Sequence, residues 1–418
     1  MIDLKKLRAD PAAFREALGR KRYRGEDLDR VIETDRKVRA LRAEIEALRA
    51  QRNAASREIP QATREQKHTL LSQVKQVGDQ LKAKEPELRA MEEELRQPLL
   101  LIPNPPDATA PDGAAAESNV VVRHVREPAR FGFQPRDHLE IGELRDWIDV
   151  KRAARTSGSR FAYLKGDLVD LQLALIGFGL QVLKRHGFVA VIPPVLVREA
   201  AMYGTGFFPA ERNEIYKIDG EDSYLVGTSE VPLAALHMNE ILDTAKLPLR
   251  YAGWSTCFRK EAGTYGKDTR GIFRVHQFDK LEMFSFCDPA LSGDEHESLL
   301  AVEEEILDGL ELPYRVVNIC AGDLGAPAAK KYDLEAWMPG QKAYREITSC
   351  SNCTDFQARR LGIRLRLRAG SGFVHTLNGT AVAIGRTVIA VLENHQQQDG
   401  TIRVPAALRP YLAGRPAL

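Results

Sequence analysis

Between Asp27 and Arg57 the apolar residues Val31, Val38, Leu41, Ile45 and Leu48 follow a three–four spacing, and Val74, Val77, Leu81, Leu88, Met91 and Leu95 repeat it between Leu71 and Leu95. Arginine, lysine, glutamate and glutamine fill the positions between them. Both runs are a/d seams, which predict two helices of roughly 30 residues, each about 45 Å long at 1.5 Å per residue. The breaker Arg57-Glu58-Ile59-Pro60-Gln61 separates them and predicts an antiparallel hairpin. Pro86 falls inside the second helix, where it removes a ladder bond and predicts a kink. A seam of this kind serves a dimerising coiled coil equally well.

The next segment, LIPNPPDATAPDGAAA from Leu101 to Ala116, has no apolar period. Its proline, alanine, aspartate and glycine predict a linker over 101–118, dividing residues 1–100 from 119–418. Beyond it, strand patterns mix with helical ones but do not come as regular βαβ units, and short polar loops join the strand pairs. That order predicts an α+β fold, an antiparallel sheet with flanking helices. The richest apolar run, Leu168 to Leu183, is broken by Asp170 and Gln172 and predicts an amphipathic helix.

Composition changes this picture in three places. A chain of 418 residues predicts about two or three domains. Its net charge of +2 gives no molecule-wide field, yet residues 1–100 carry 23 lysines and arginines against 18 acidic residues. That local excess points to a polyanion contact in the helical segment. The opening MIDLKKLRAD has no apolar core of a secretory leader, no run of about 18 apolar residues occurs, and five cysteines make no disulfide framework. A reduced, cytoplasmic protein without a membrane span is the expectation.

Four segments carry candidate chemistry. Leu249–Glu261 predicts a strand, Ala262–Gly271 a polar loop and Ile272–Phe286 a second strand. With a period of two, Arg274, His276, Phe278, Lys280 and Glu282 share one face, while Phe273, Val275, Leu281 and Met283 share the other; Arg259 and Glu261 share a face of the first strand. A hairpin then gathers cations, an aromatic ring and carboxylates, which suits a nucleotide: arginine grips phosphate, a ring stacks on a base, and a carboxylate accepts a base amino proton. A solvated sheet face with cross-strand ion pairs has the same pattern. Leu377–Glu393 predicts an apolar helix with Arg386 in its middle and Gly385 leaving room beside it. A buried guanidinium needs an anion, unless it pairs internally or reaches the surface.

In Tyr224–Pro232 a short strand runs into Thr228-Ser229-Glu230, with Pro232 in the first turn of a helix; capping accounts for these residues. In Tyr344–Cys353, Glu346 and the neighbouring hydroxyls can hold a hard divalent cation. Cys350-x-x-Cys353 lacks a second such pair, so two buried thiols are expected and zinc is not. Neither G-x-x-x-x-G-K-[ST] nor G-x-G-x-x-G occurs, which excludes a P-loop or Rossmann grip on ATP.

Together these residues resemble the class II aminoacyl-tRNA synthetases, and among them the seryl-tRNA synthetase family, over nearly the whole chain. Gly187 to Pro194 is similar to the first class motif, the dimer-forming helix and strand that end in proline. Phe258-Arg259-Lys260-Glu261 with Arg274 to Glu282 resembles the second, and Asn378-Gly379-Thr380 through Arg386 the third. Thr228-Ser229-Glu230, Gly204-Thr205-Gly206, Ser349 to Cys353, Asp355 to Arg360 and the tail VPAALRPYL resemble elements of the seryl family.

The resemblance implies an ATP site of Arg259, Glu261, Val275, Phe278, Glu346, Ile347, Thr348, Ser349 and Arg386. Arg259 would hold the α-phosphate, Glu261 would read the adenine amino group, Phe278 would stack on the ring and Arg386 would bind the terminal phosphate, with Arg259 and Arg386 as the catalytic groups. Glu346 and Ser349 would ligate Mg²⁺, and Thr228, Ser229, Glu230, Glu282, Asn378 and Thr380 would line the serine pocket. It also implies a homodimer whose N-terminal arm, about 27–98, reaches tRNA(Ser), and tRNA(Sec) as well, with Arg49, Arg52, Arg57, Arg64 and Lys67 as contact candidates at a basic tip. Thr380 and Thr348 stand where the family often has serine, and Pro86 is unusual for the arm. Two other readings are a paralogue that loads a carrier protein, which the long basic arm disfavours, and an inactive tRNA-binding coiled-coil protein, which the intact arginines and glutamates disfavour.

Overall fold

The computed structural model describes residues 1–262, 268, 270–367 and 370–418, with Glu26 described in its backbone alone. Most of the polar loop predicted over Ala262–Gly271 lies outside the described residues. The chain divides into two compact units. The smaller comprises Asp3–Gly19 and Tyr23–Ile102; the larger comprises Met1–Ile2, Arg20–Arg22 and Pro103–Leu418.

The smaller unit is built on a hairpin of two long helices, Glu26–Glu58 and Arg64–Leu101. A single 3-10 turn, Ile59–Gln61, carries the predicted breaker. Thr63 then starts the second helix with a capping box: its hydroxyl accepts from the Gln66 backbone N–H, and the Gln66 side chain accepts from the Thr63 N–H. Leu41, Ile45, Val77 and Leu81 are buried along the seam, with Leu48, Leu88 and Met91 packed against them. The pairs Arg42–Glu92 at 2.5 Å and Arg49–Glu85 at 2.7 Å step in opposite directions along the two helices, the mark of antiparallel packing. Both Pro86 and Pro98 sit inside the second helix, which runs through them to Leu101. The helix therefore outlasts the predicted end, because Leu95, Leu99 and Leu100 continue the buried stripe.

The larger unit holds an eight-stranded sheet in the order Val120–Val125, Tyr314–Asn318, Lys330–Met338, Ala343–Asn352, His375–Ala383, Gln277–Cys287, Leu249–Phe258, Val189–Val191. Neighbours are antiparallel except the last pair, which is parallel. Helices Asp167–Arg185, Ser292–Gly309 and Ile384–His395 share one buried apolar core with the sheet, to which Leu281, Met283, Leu334, Ala336, Cys350, Leu377 and Val382 contribute. On the central strand Gln277–Cys287, Leu281 and Met283 point into this core, so Phe278, Lys280 and Glu282 project from the other face.

The segment read as a linker is not a free tether. The Asn104 side chain is buried and donates to the carbonyls of Pro327 and Cys353, each at 2.9 Å. The backbone N–H of Asn104 donates to Ala326, and that of Asp107 to Ala329. A proline-rich run without periodicity has no ladder of its own, and here its polar groups are satisfied by the neighbouring loop.

Candidate functional site

Two bulges shape the open face of the sheet. Opposite Leu334 and Glu335, the strand Ala343–Asn352 pairs through Thr348 and then Glu346, so Ile347 is an extra residue. Opposite Glu282 and Leu281, the strand His375–Ala383 pairs through Thr380 and then Val382, so Ala381 is extra. In an unbroken strand Glu346 and Ser349, three apart, would face opposite ways; the bulge lets both reach one cavity. Gly379, between the bulges, is required by space: a Cβ there would lie 2.9 Å from the buried Glu303 carboxylate.

That cavity, about 500 Å³, is lined by Arg259, Glu261, Val275, Phe278, Glu346, Ile347, Thr348, Ser349 and Arg386, and equally by Thr228, Glu230, Glu282, Asn378 and Thr380. One predicted residue is not among them. Ser229 is fully buried, and its hydroxyl donates to the Gly253 carbonyl at 3.2 Å. It packs the turn against the neighbouring strand and does not line the pocket, which corrects its assignment to the serine site. The N-cap position is Ser229, which makes no side-chain cap bond; Thr228, one residue before it, accepts from the Glu230 N–H at 3.1 Å.

Other expectations change in detail. The strand Leu249–Phe258 ends before Arg259, and Glu261 has a φ of +50°, so these two side chains reach the cavity from a turn and not from one strand face. The next strand starts at Gln277, so Phe273 and Val275 are not bound by strand alternation and line the cavity beside Arg274. Arg386 belongs to the first turn of the helix Ile384–His395, after a strand that ends at Ala383, and not to the middle of one long helix. The chain needs that corner: a continuous helix would carry Asn378 and Thr380 away from the sheet.

Cations and an aromatic ring gather in one part of the cavity. The Arg259 guanidinium lies over the Phe278 ring, 5.3 Å from its centroid, and donates to the Gly227 carbonyl at 3.1 Å. Arg274 pairs with Glu261 at 3.1 Å and with Asp268 at 3.2 Å. Arg386 donates to the Glu346 carbonyl at 3.0 Å and lies over Phe273 at 4.9 Å. Burial draws the Arg386 guanidinium below the usual arginine range, and Glu346 opposes it. For Glu346, burial works to raise its carboxyl, but Lys331, Arg386, Arg259 and Arg274 outweigh it and hold the group below the usual carboxylate range. Arg259, Arg274, Lys331 and Arg386 all line the cavity, and arginine and lysine are the groups that grip a polyphosphate.

Carboxylates and hydroxyls form the second group. Lys280 is buried, pairs with Glu282 at 2.5 Å and donates to the Thr228 hydroxyl at 2.7 Å. The Thr380 hydroxyl donates to Glu282 at 3.3 Å, and the Thr348 hydroxyl to the Thr380 carbonyl. Asn378 donates to Glu230 at 3.1 Å. Burial, with Glu282 and Glu211 nearby, pushes the Glu230 carboxyl up to about 7 against Gln357 and Lys280. A buried acid, Glu282, and a partly exposed one, Glu230, beside hydroxyls and an amide suit a small polar cation.

Sequence reasoning assigned no role to Lys280, Lys331 or Gln357. Lys280 was legible, two residues from both Phe278 and Glu282 on the polar face. Lys331 and Gln357 carry no such signal, because nothing in their own segments announces the partners they meet. Cys350 and Cys353 are buried free thiols. Of the basic candidates in the helical hairpin, Arg49 is paired with Glu85, while Arg52, Arg57 and Arg64 are exposed without an ion pair among the described residues, and Lys67 is partly covered.

Comparison with known proteins gives a consistent result. Residues 1–106 match the family model of the seryl-tRNA synthetase N-terminal domain, and residues 214–395 match that of the class II tRNA synthetase core domain (G, H, P, S and T). A serine–tRNA ligase of Acidothermus cellulolyticus is 52% identical across 99% of this chain and 98% of its own length. That of Thermobifida fusca is 50% identical across 99% and 97%. Among solved structures, the seryl-tRNA synthetase of Pyrococcus horikoshii complexed with ATP superposes with a TM-score of 0.91 at 41% identity, covering 100% of this chain and 99% of that one. The cytoplasmic enzyme of Naegleria fowleri in complex with AMP gives 0.86 at 34%, covering 98% and 95%. With relatives this similar matched end to end, the chain belongs to the seryl-tRNA synthetase family.

Proposed function

We propose that this chain is a serine–tRNA ligase that activates L-serine with ATP and transfers the seryl group to tRNA(Ser). The observation that carries the reading is the division of one cavity into a cationic group around Arg259, Phe278 and Arg386 and an acidic group around Glu230 and Glu282. ATP belongs with the first group and serine with the second, and the relatives' complexes with ATP and AMP support the assignment. Attack by the serine carboxylate on the α-phosphate needs no protein nucleophile. It needs the two reactants held in line and fixed cations where charge redistributes. Arg259 takes that position in the proposal, with Phe278 under the adenine, Glu261 at its amino group and Arg386 at the terminal phosphate.

Mg²⁺ commonly binds through one or two protein oxygens together with substrate phosphates. Glu346 and Ser349 fit that pattern, as one carboxylate and one hydroxyl brought to the cavity by a bulge. Bound there, the ion would offset phosphate charge. Among the described residues no cluster of three or more His, Cys, Asp or Glu makes a self-sufficient metal cage.

The proposal includes a homodimer. The helix Asp167–Arg185 leaves Val169 and Leu173 exposed four residues apart, and Val189, Ile192 and Leu196 are exposed on and beyond the edge strand that follows it. An apolar edge of this kind suits burial by a second copy. The exposed arginines of the hairpin suit tRNA phosphates. No helix among the described residues is long and apolar enough to cross a membrane, and with five free cysteines a cytoplasmic site is proposed. The test is charging of tRNA(Ser) with labelled serine and ATP; wild-type protein that forms no acid-precipitable seryl-tRNA overturns the reading.

A further inference from the structure

Behind the cavity wall lies a residue that the reaction as described does not use. Gln357, in the short helix Phe356–Leu361, is fully buried and does not line the cavity. Its Nε2 donates to Glu230 Oε1 at 2.7 Å and to the Thr205 carbonyl at 3.2 Å, and its Oε1 accepts from the Thr376 hydroxyl at 2.8 Å. These contacts fix which end of the amide points where. Reversed, its oxygen would face a carbonyl and a carboxylate, three acceptors with no proton among them. Glu230 Oε1 also accepts from Asn378 at 3.1 Å, whereas no hydrogen bond to Oε2 occurs among the described residues.

We propose that Gln357 is a positioning residue for the amino-acid substrate: its amide clamps one oxygen of Glu230 so that the other receives the substrate's ammonium group. The proposal rests on the serine-site reading above and names the interaction that makes Glu230 competent. Glu230 has an acidic neighbourhood. Glu282 on the adjacent strand and Glu211 disfavour its charged form, as does burial, while Lys280 and Gln357 favour it. Lys280 is already engaged by Glu282 and Thr228, so among the described residues the side-chain donors on Glu230 are the two amides, Gln357 at 2.7 Å and Asn378 at 3.1 Å, and Gln357 makes the shorter bond. Without it, Glu230 holds its proton to higher pH, and a protonated carboxyl binds an ammonium poorly.

The sign follows. In wild-type protein the serine KM should fall as pH rises through about 7, as Glu230 ionises. Gln357→Met removes the donor, so the fall moves to higher pH. The serine KM measured by ATP–pyrophosphate exchange should then rise about tenfold near neutrality, and the gap should narrow toward about pH 8.5. The ATP KM should stay within about twofold. Gln357→Glu keeps the shape but places a second acid against Glu230, which raises its carboxyl further, so the fall in serine KM should move to higher pH still. If the methionine variant does not fold, this displaced profile carries the test. Unchanged serine KM in a folded variant overturns the proposal, as does a pH-independent loss shared equally by serine and ATP. If wild-type exchange ignores serine altogether, the serine-site reading itself fails, an outcome distinct from failure of the Gln357 role.

Discussion

Arg259 is held by its neighbours before any ligand arrives. The Gly227 carbonyl takes one of its donors and the Phe278 ring supports its plane, so the guanidinium need not reorganise when phosphate charge develops. Arg259→Ala should therefore lower the rate of adenylate formation by about 100-fold, with a smaller change in ATP affinity; rapid-quench measurement of seryl-adenylate checks this. Glu282 has the complementary role, and Glu282→Ala should raise the serine KM while leaving the ATP KM nearly intact. An ATP defect without a serine defect would mean that the two groups of residues had been assigned in reverse. Lys280 carries a stability cost as well. Removing the buried cation leaves Glu282 a buried carboxylate whose remaining donor among the described residues is the Thr380 hydroxyl. Lys280→Met should destabilise the protein by about 3–5 kcal/mol, read from urea unfolding, whereas Lys280→Met combined with Glu282→Gln should recover part of that loss.

At the level of elements, the hairpin was legible almost residue by residue. Leu41, Ile45, Val77 and Leu81 lie on the predicted seam and are buried there, because a three–four repeat depends only on local helix geometry. The polar face of the strand Gln277–Cys287 was legible for the same reason, its period being two. The bulges at Ile347 and Ala381 were not: an extra residue is defined by the partner strand, which sequence spacing alone does not specify. The corner at Ala383–Ile384 was missed because Ala381 to Leu392 is apolar or small at every position but Arg386 and Thr387, and neither period stands out in such a run. Deleting residues 27–98 removes Arg52, Arg57 and Arg64 but none of the cavity residues. Adenylate formation should survive and charging should collapse, and binding of tRNA by the full-length chain should weaken steeply with salt as counterions are released. Full-rate charging by the truncated protein would leave the hairpin a structural coiled coil.

For the whole molecule, the exposed apolar positions Val169, Leu173, Val189 and Ile192 set the expected assembly. Sedimentation at micromolar concentration should give a species of about twice 46.7 kDa, and Ile192→Glu should shift it toward the monomer. Length and composition said little about function, since a net charge of +2 fits many proteins. Chemistry became readable only when separated segments were considered together: Thr228, Arg259, Glu282, Glu346, Thr380 and Arg386 come from four stretches of chain and meet in one cavity. The central claim is that this cavity selects serine, and ATP–pyrophosphate exchange run separately with each of the twenty amino acids tests it most directly. Serine should drive exchange far above alanine, threonine, glycine and lysine; an amino acid that drives exchange faster than serine would contradict the account.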